Sequence, residues 1–235
     1  MAQGGKGGKF EEDARGTFWR GTGIDAETRL RVARAIGKTE EAIAPQLMEQ
    51  VKMHQPDEGP PATSTDGKGA YRQAMLSTWG KVPEYGGRGA PPKLPQPGKD
   101  WLYLQVIKKR KGGKLESVRI KIIYGDPEEV KAKIGCHTAY VERTHLTSRT
   151  MNGRLVRKTL SFSKALHFLE ASSALEDAIY NFTRPVKTLR MELPNPSKQA
   201  RWQQRSPAIA AGLTDHLWTV QELLTVVLVP LRVNT

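Results

Sequence analysis

Residues 64–71 read Ser-Thr-Asp-Gly-Lys-Gly-Ala-Tyr. Just before them, behind Pro60 and Pro61, Ala62 to Thr65 reads as a short strand ending at Asp66. After them a helix is predicted from about Ala70 to Trp79. A carboxylate at a strand end, followed by Gly67, is exposed where a metal ion can reach it. Taken alone, an Asp-Gly pair behind a strand is usually a turn.

Upstream, Thr17 to Ile24 reads as a strand carrying Phe18 and Trp19, and Asp25-Ala26-Glu27 as a turn. Arg29 to Ile36 reads as a second strand. Its period-two pattern puts Leu30, Val32 and Ile36 on one face, with Arg34 as the exception. Thr39 is a predicted N-cap, with Glu40 and Glu41 in the first turn of a helix that runs to about Met53. Pro45 either kinks that helix or marks its start.

Downstream, residues 80–100 are dense in Pro and Gly and read as a loop or linker. A β-hairpin follows, with strands Trp101 to Ile107 and Leu115 to Tyr124, and the basic stretch Lys-Lys-Arg-Lys-Gly-Gly-Lys as its loop. Helices are predicted from Tyr140 to about Arg149 and from about Ser163 to Phe182. Leu166, Leu169, Leu175, Ile179 and Phe182 form an approximate apolar stripe on the second. Residues 184–213 read as extended and polar. Thr219 and Glu222 fit a capping box that opens a short terminal helix. The expected architecture is α/β, a mixed sheet flanked by helices. Residues 1–15 are expected to be disordered, 16–185 to form the core, and 186–235 to form an extended tail with a short helix.

Composition narrows the function classes. The 235 residues carry 37 Lys and Arg against 24 Asp and Glu, a formal charge of +13, which favours a polyanionic partner. The one cysteine, Cys136, excludes an internal disulfide and a cysteine-based zinc site, and it suits the cytosol. Cys136 itself is expected to be a bystander in a loop. The longest apolar run, Leu223 to Leu231, is too short to span a bilayer, so no membrane partner is expected.

Three segments carry the chemistry: residues 64–71; Tyr-Val-Glu-Arg-Thr-His-Leu-Thr-Ser-Arg at 140–149 with Arg-Lys-Thr-Leu-Ser-Phe-Ser-Lys at 157–164; and Tyr-Asn-Phe-Thr-Arg-Pro at 180–185 with residues 202–216. From Glu142 to Lys164 the chain holds Arg143, Arg149, Arg154, Arg157, Lys158 and Lys164 against Glu142 alone. Such a run is a solvated basic face or a set of phosphate contacts. Lys108, Lys109, Arg110, Lys111 and Lys114 form a second basic cluster with the same two readings. Glu142, His145 and Arg149 share one helix face. Glu142 beside Arg143 is by itself an ordinary solvated face.

The Glu-Arg-x-x-Leu-x-x-x-Arg helix, the Arg-Lys-Thr-Leu-Ser-Phe-Ser-Lys segment and the Asn-Phe-x-Arg-Pro end resemble transposases of the first-described insertion-sequence family. The resemblance covers most of residues 16–225 and is most specific from 140 to 185. It implies a ribonuclease-H-like catalytic core with an Asp-Asp-Glu triad that uses Mg²⁺ or Mn²⁺ to cut and join DNA. The implied partners are insertion-sequence ends and a target duplex, with homo-oligomerisation possible in such a family. Asp66 matches the second catalytic carboxylate and Glu142 the third, both as metal ligands. His145 would touch the scissile phosphate or orient Glu142. Two-ion chemistry on a phosphodiester uses hard oxygen ligands of this kind.

The chain departs from the family upstream. The first catalytic Asp is expected on a strand before Trp19, where Met1 to Arg15 show no strand pattern, so no residue is assigned to that position. The family's N-terminal zinc-binding, DNA-reading region has no counterpart either. The expectation is a core that lacks its first strand, with an inserted basic hairpin, and that is silent in catalysis. The rival expectation is a non-catalytic DNA-binding remnant or regulator.

Overall fold

The computed structural model describes residues 18–55, 59–87, 89–135, 138–156, 160–197 and 201–226. The chain divides into two compact units. One comprises residues 1–24 and 32–146, and the other residues 25–31 and 147–235. Cys136 and the 1–15 segment lie outside the described residues. The architecture is mixed α/β, with helices and small sheets.

The first unit opens with β1 (Trp19–Ile24), which pairs with β2 (Arg31–Gly37). The buried face of β2 is Arg31, Ala33, Ala35 and Gly37. This reverses the expected face, because Val32 and Ile36 are only half-buried. Small side chains win here because a helix lies close against the strand. That helix, α1 (Glu40–His54), is capped as expected, with Thr39 Oγ1 accepting from the Ala42 N–H, and Pro45 lies inside it. Ile43 and Leu47 of α1 pack on Ala33 and Ala35. A Cβ added at Gly21 would stand 2.4 Å from Ile43 Cγ2.

The adjoining row on α1, Ala44 and Met48, faces a second cluster. This cluster holds Ala74, Met75 and Trp79 of α2 (Gly69–Trp79), together with Trp101 and Tyr103. Helix α2 follows β3 (Thr63–Asp66), which pairs in parallel with β4 (Tyr103–Lys111). Strand β4 pairs antiparallel with β5 (Lys114–Tyr124), giving a mixed three-stranded sheet in the order β3-β4-β5. On the opposite face Leu104 and Val106 meet Val130 of α3 (Pro127–Ile134). Helix α3 is an addition to the elements expected from the sequence. Asp126 caps it, accepting from the N–H groups of Glu128 and Glu129, and Pro127 takes its first turn. Helix α4 (Ala139–Met151) follows, with Thr144 and Ser148 as its buried row.

The second unit is organised by α5 (Leu166–Phe182). The expected leucine stripe is not its buried face. Leu175 is exposed, and the buried residues are Ser173, Glu176, Asp177, Tyr180 and Asn181. The reason is Arg31. Its guanidinium bonds both Glu176 and Asp177, the latter at 2.9 Å, and lies 3.8 Å over the Tyr180 ring. Asn181 completes the clamp, its side chain exchanging two hydrogen bonds with the Arg31 backbone at 3.0 and 3.1 Å. The tail is more regular than expected. Strand β6 (Met191–Glu192) pairs with β7 (Trp202–Gln203), and α6 (Pro207–Ala210) and α7 (Val220–Thr225) follow. The capping box at Thr219 and Glu222 forms as expected.

Because the ion cluster is desolvated, removing the Arg31 cation leaves two buried carboxylates without its charge. We expect Arg31→Ala to destabilise the second unit by about 3–5 kcal/mol. Hydrogen exchange of the α5 amides measures this. Protection equal to the parent's would show that the cluster does not hold the helix.

Candidate functional site

Asp66 closes β3 and pairs in register with Val106 of β4. The turn after it is held from below. The Gln105 side-chain amide donates to the Lys68 carbonyl at 3.0 Å and to the Tyr103 hydroxyl at 2.9 Å, and Tyr103 bonds Thr65 Oγ1 at 2.8 Å. Gly67 is required by close approach, since a Cβ there would stand 2.8 Å from Ile107 Cγ1. The Lys68 N–H donates to Asp66 Oδ1 at 3.4 Å. Burial nevertheless outweighs that bond and pushes the Asp66 carboxyl above its ordinary pKa, with Glu40 adding to the rise. Tyr71 is pushed up to about 12, first by burial and then by Asp66 and Glu40.

Asp66 ends β3 opposite Val106 of β4, and its carboxyl lies near enough to Glu40 of α1, Tyr71 of α2 and Tyr103 to interact with them electrostatically. Lys108 is ion-paired to Glu142 of α4. Thr138 Oγ1 donates to the same Glu142 oxygen at 2.8 Å. Glu142 is thus tied to β4 by the Lys108 ammonium, and the groups that act on it are Lys108, Thr138 and Arg110, not those that act on Asp66. Lys108, first, and Thr138 hold the Glu142 carboxyl below its ordinary value, and Arg110 adds to this.

Among the described residues the donor set falls short of the metal pair that the resemblance implies. Asp66 and Glu142 are two carboxylates rather than three, and one is held by an ammonium group. Among the described residues no three Asp, Glu, His or Cys side chains gather at metal-binding spacing.

The other expected residues sort by element. Lys108, Lys109, Arg110 and Lys111 are strand residues of β4, not loop residues, because β4 and β5 run on to a tight turn at Gly112 and Gly113, where φ is +56° and +80°. The hairpin is thus a ribbon that leaves the core after Ile107. From Lys108 to Lys121 it carries seven basic residues against Glu116 alone. Arg119 and Lys121 belong to this surface. The alternation on β5 is the signal that points to them, once the basic segment is taken as strand rather than loop. Lys109 pairs with Glu116 at 2.9 Å. Thr138 carries no sequence signal of its own, since its role depends on the first turn of α4. Arg143 and Arg149 are exposed on α4, while His145 is half-buried. In the second unit Arg154 sits on a single 3-10 turn, Gly153–Leu155, and Lys164 just precedes α5; both are exposed. Arg157 and Lys158 lie outside the described residues.

No family model, no curated protein and no solved structure matches this chain. Among the described residues no helix is long and apolar enough to cross a membrane.

The Lys108 pair makes a pH statement. A glutamate held below its ordinary 4.5 stabilises the fold above that value, and the contribution is lost as pH falls through the lower folded value. Because Glu142 is about half exposed, the effect on stability is small. We expect Lys108→Ala to return the Glu142 pKa towards 4.5, as followed by carboxyl NMR. An unchanged titration would show that Lys108 does not set it.

Proposed function

We propose that this chain binds duplex DNA through its basic β-ribbon, on a scaffold related to insertion-sequence transposase cores, without cutting the DNA. The observation that carries the reading is the ribbon itself. Two exposed strands project from a packed core and concentrate seven cations against one anion. A two-stranded ribbon is narrow enough to enter the major groove, and clustered cations displace counterions from phosphates. The exposed Arg143 and Arg149 of α4 are further phosphate contacts. The partners in this reading are insertion-sequence ends and target duplexes, bound without strong sequence preference.

Several features support the ribonuclease-H-like plan. The element order is strand, strand, helix, strand, helix. Helix α1 packs against β2 with one row and against the α2–β4 cluster with the next. Among the described residues β1 pairs only with β2, and β3 only with β4. One further strand between β1 and β3 would join the two sheets into a single mixed sheet.

A catalytic reading rests on Asp66, at the end of β3, and on Glu142, tied through Lys108 to the neighbouring strand β4. A strand-cleavage assay in Mg²⁺ or Mn²⁺ separates the two readings. We expect no cleavage. Metal-dependent cleavage that disappears in Glu142→Gln would restore the catalytic reading.

For binding, we expect Lys109→Ala, Arg110→Ala and Lys111→Ala combined to weaken unrelated duplexes equally. The log–log salt slope should fall by about 0.9 for each phosphate the variant no longer neutralises. Fluorescence anisotropy across a salt series measures both. Unchanged affinity, or a strong preference for one sequence, would remove the ribbon from the interface.

A further inference from the structure

A second nucleic-acid feature lies in the other unit. Between the 3-10 turn Gly153–Leu155 and the start of α5 is an open hollow of about 570 Å³. That is within the range of about 300–1,000 Å³ for small-molecule pockets, and room enough for a nucleotide. Phe162 and Phe168 border it and are 59% and 55% exposed. Arg154 and Lys164 border it as well. From Arg143 to Leu169 the sequence contains no Asp or Glu. The hollow therefore combines bare aromatic surface with two cationic side chains.

The polar groups around the hollow are bonded to the protein rather than set to read an edge. Asn152 is already committed, its Oδ1 accepting from the Arg154 N–H at 3.1 Å and its Nδ2 donating to Ser172 Oγ at 3.3 Å. Arg154 Nη1 donates to Ser163 Oγ at 3.2 Å, which steadies the guanidinium and leaves its other N–H groups for a ligand. His167 lies against Phe168 with ring centroids 4.1 Å apart and supports that ring from one side. Stacking surface with phosphate contacts but little edge recognition is the chemistry of single-strand binding.

We infer that this hollow binds an unpaired base of single-stranded DNA, stacked on Phe162 and Phe168, with the adjoining phosphates on Arg154 and Lys164. The inference deepens the DNA-binding reading and rests on it. Duplex DNA keeps its bases stacked inside the helix, so the aromatic part of the site acts only where a strand is open. The two surfaces have separate tasks, since the ribbon takes the duplex and the hollow takes an exposed base.

The test uses the full chain and labelled probes in anisotropy: an oligothymidylate, an abasic strand of equal length, a duplex and an oligouridylate. Phe162→Ala and Phe168→Ala should each weaken the oligothymidylate complex about tenfold. They should leave the abasic strand and the duplex within about twofold. Phe162→Trp and Phe168→Trp should retain binding, which separates stacking from a folding defect. Arg154→Ala and Lys164→Ala should each lower the single-strand salt slope by about 0.7. Equal weakening on the abasic strand, or none on oligothymidylate, overturns the site. Tighter binding of oligouridylate overturns the assignment to DNA. Self-association abolished in the Phe variants, with oligothymidylate binding intact, would give the rings to a second copy and overturn the site. Anionic vesicles released by the Phe variants, with oligothymidylate binding intact, would overturn it in favour of a lipid surface. The ribbon triple variant reads the earlier proposal separately, since it removes phosphate contacts and weakens the abasic strand and the duplex as well, whereas a loss confined to oligothymidylate marks the hollow.

Discussion

Four consecutive residues of β4, Tyr103 to Val106, are buried on both faces of the strand. Among the described strands β4 alone has two neighbours, and the first unit is assembled from it outward. Tyr103 faces α1 and α2, while Leu104 and Val106 face α3. Burying polar atoms here requires complete pairing, and the Tyr103 hydroxyl and Gln105 amide supply it by bonding each other, Thr65 and the Lys68 carbonyl. The same bonds fix the turn that follows Asp66. A candidate site residue is therefore positioned by core chemistry two strands deep, which gives it definition without any contact of its own to a ligand.

What happens at Ile107 decides the rest. On its inner side the strand is packed, and on its outer side both β4 and β5 run into solvent. Lys108 stands at that exit and ties the ribbon base to α4 through Glu142. The ammonium thus does two things. It anchors the projecting arm, and it neutralises a carboxylate beside the basic ribbon.

Much of this is legible locally. Thr39, the Thr219–Glu222 box, the strand ending at Asp66 and the helix starting near Ala70 all follow from short-range signals that tertiary packing leaves intact. The failures share a cause in distant partners. Period two correctly marks β2 as a strand, but the helix above it needs small residues, so Ala33 and Ala35 go inward rather than Val32 and Ile36. The leucines of α5 look like a core stripe, but Arg31, 145 and 146 positions away from its acidic partners, draws Glu176 and Asp177 inside. The basic run of the hairpin reads as a loop because lysines are poor strand formers. The Gly112–Gly113 turn shows that the strands continue through it. Of the site, Asp66, Glu142 and the cations stand out in the sequence, while the Lys108–Thr138 shell around Glu142 needs three-dimensional neighbours.

The ribbon also carries Leu115, Val118 and Ile120, all exposed on β5, whose outer edge has no strand partner among the described residues. An open edge with bare apolar side chains is a template for pairing with another molecule, and closely spaced lysines are one way proteins prevent it. Here mutual repulsion between arms guards the edge. That guard reaches only about 8 Å at physiological ionic strength and shortens as salt rises. A concentrated salt solution that strips away a polyanion would thus also lower the barrier between protein molecules. The row of charges proposed above to bind DNA is thus also the one on which colloidal stability depends.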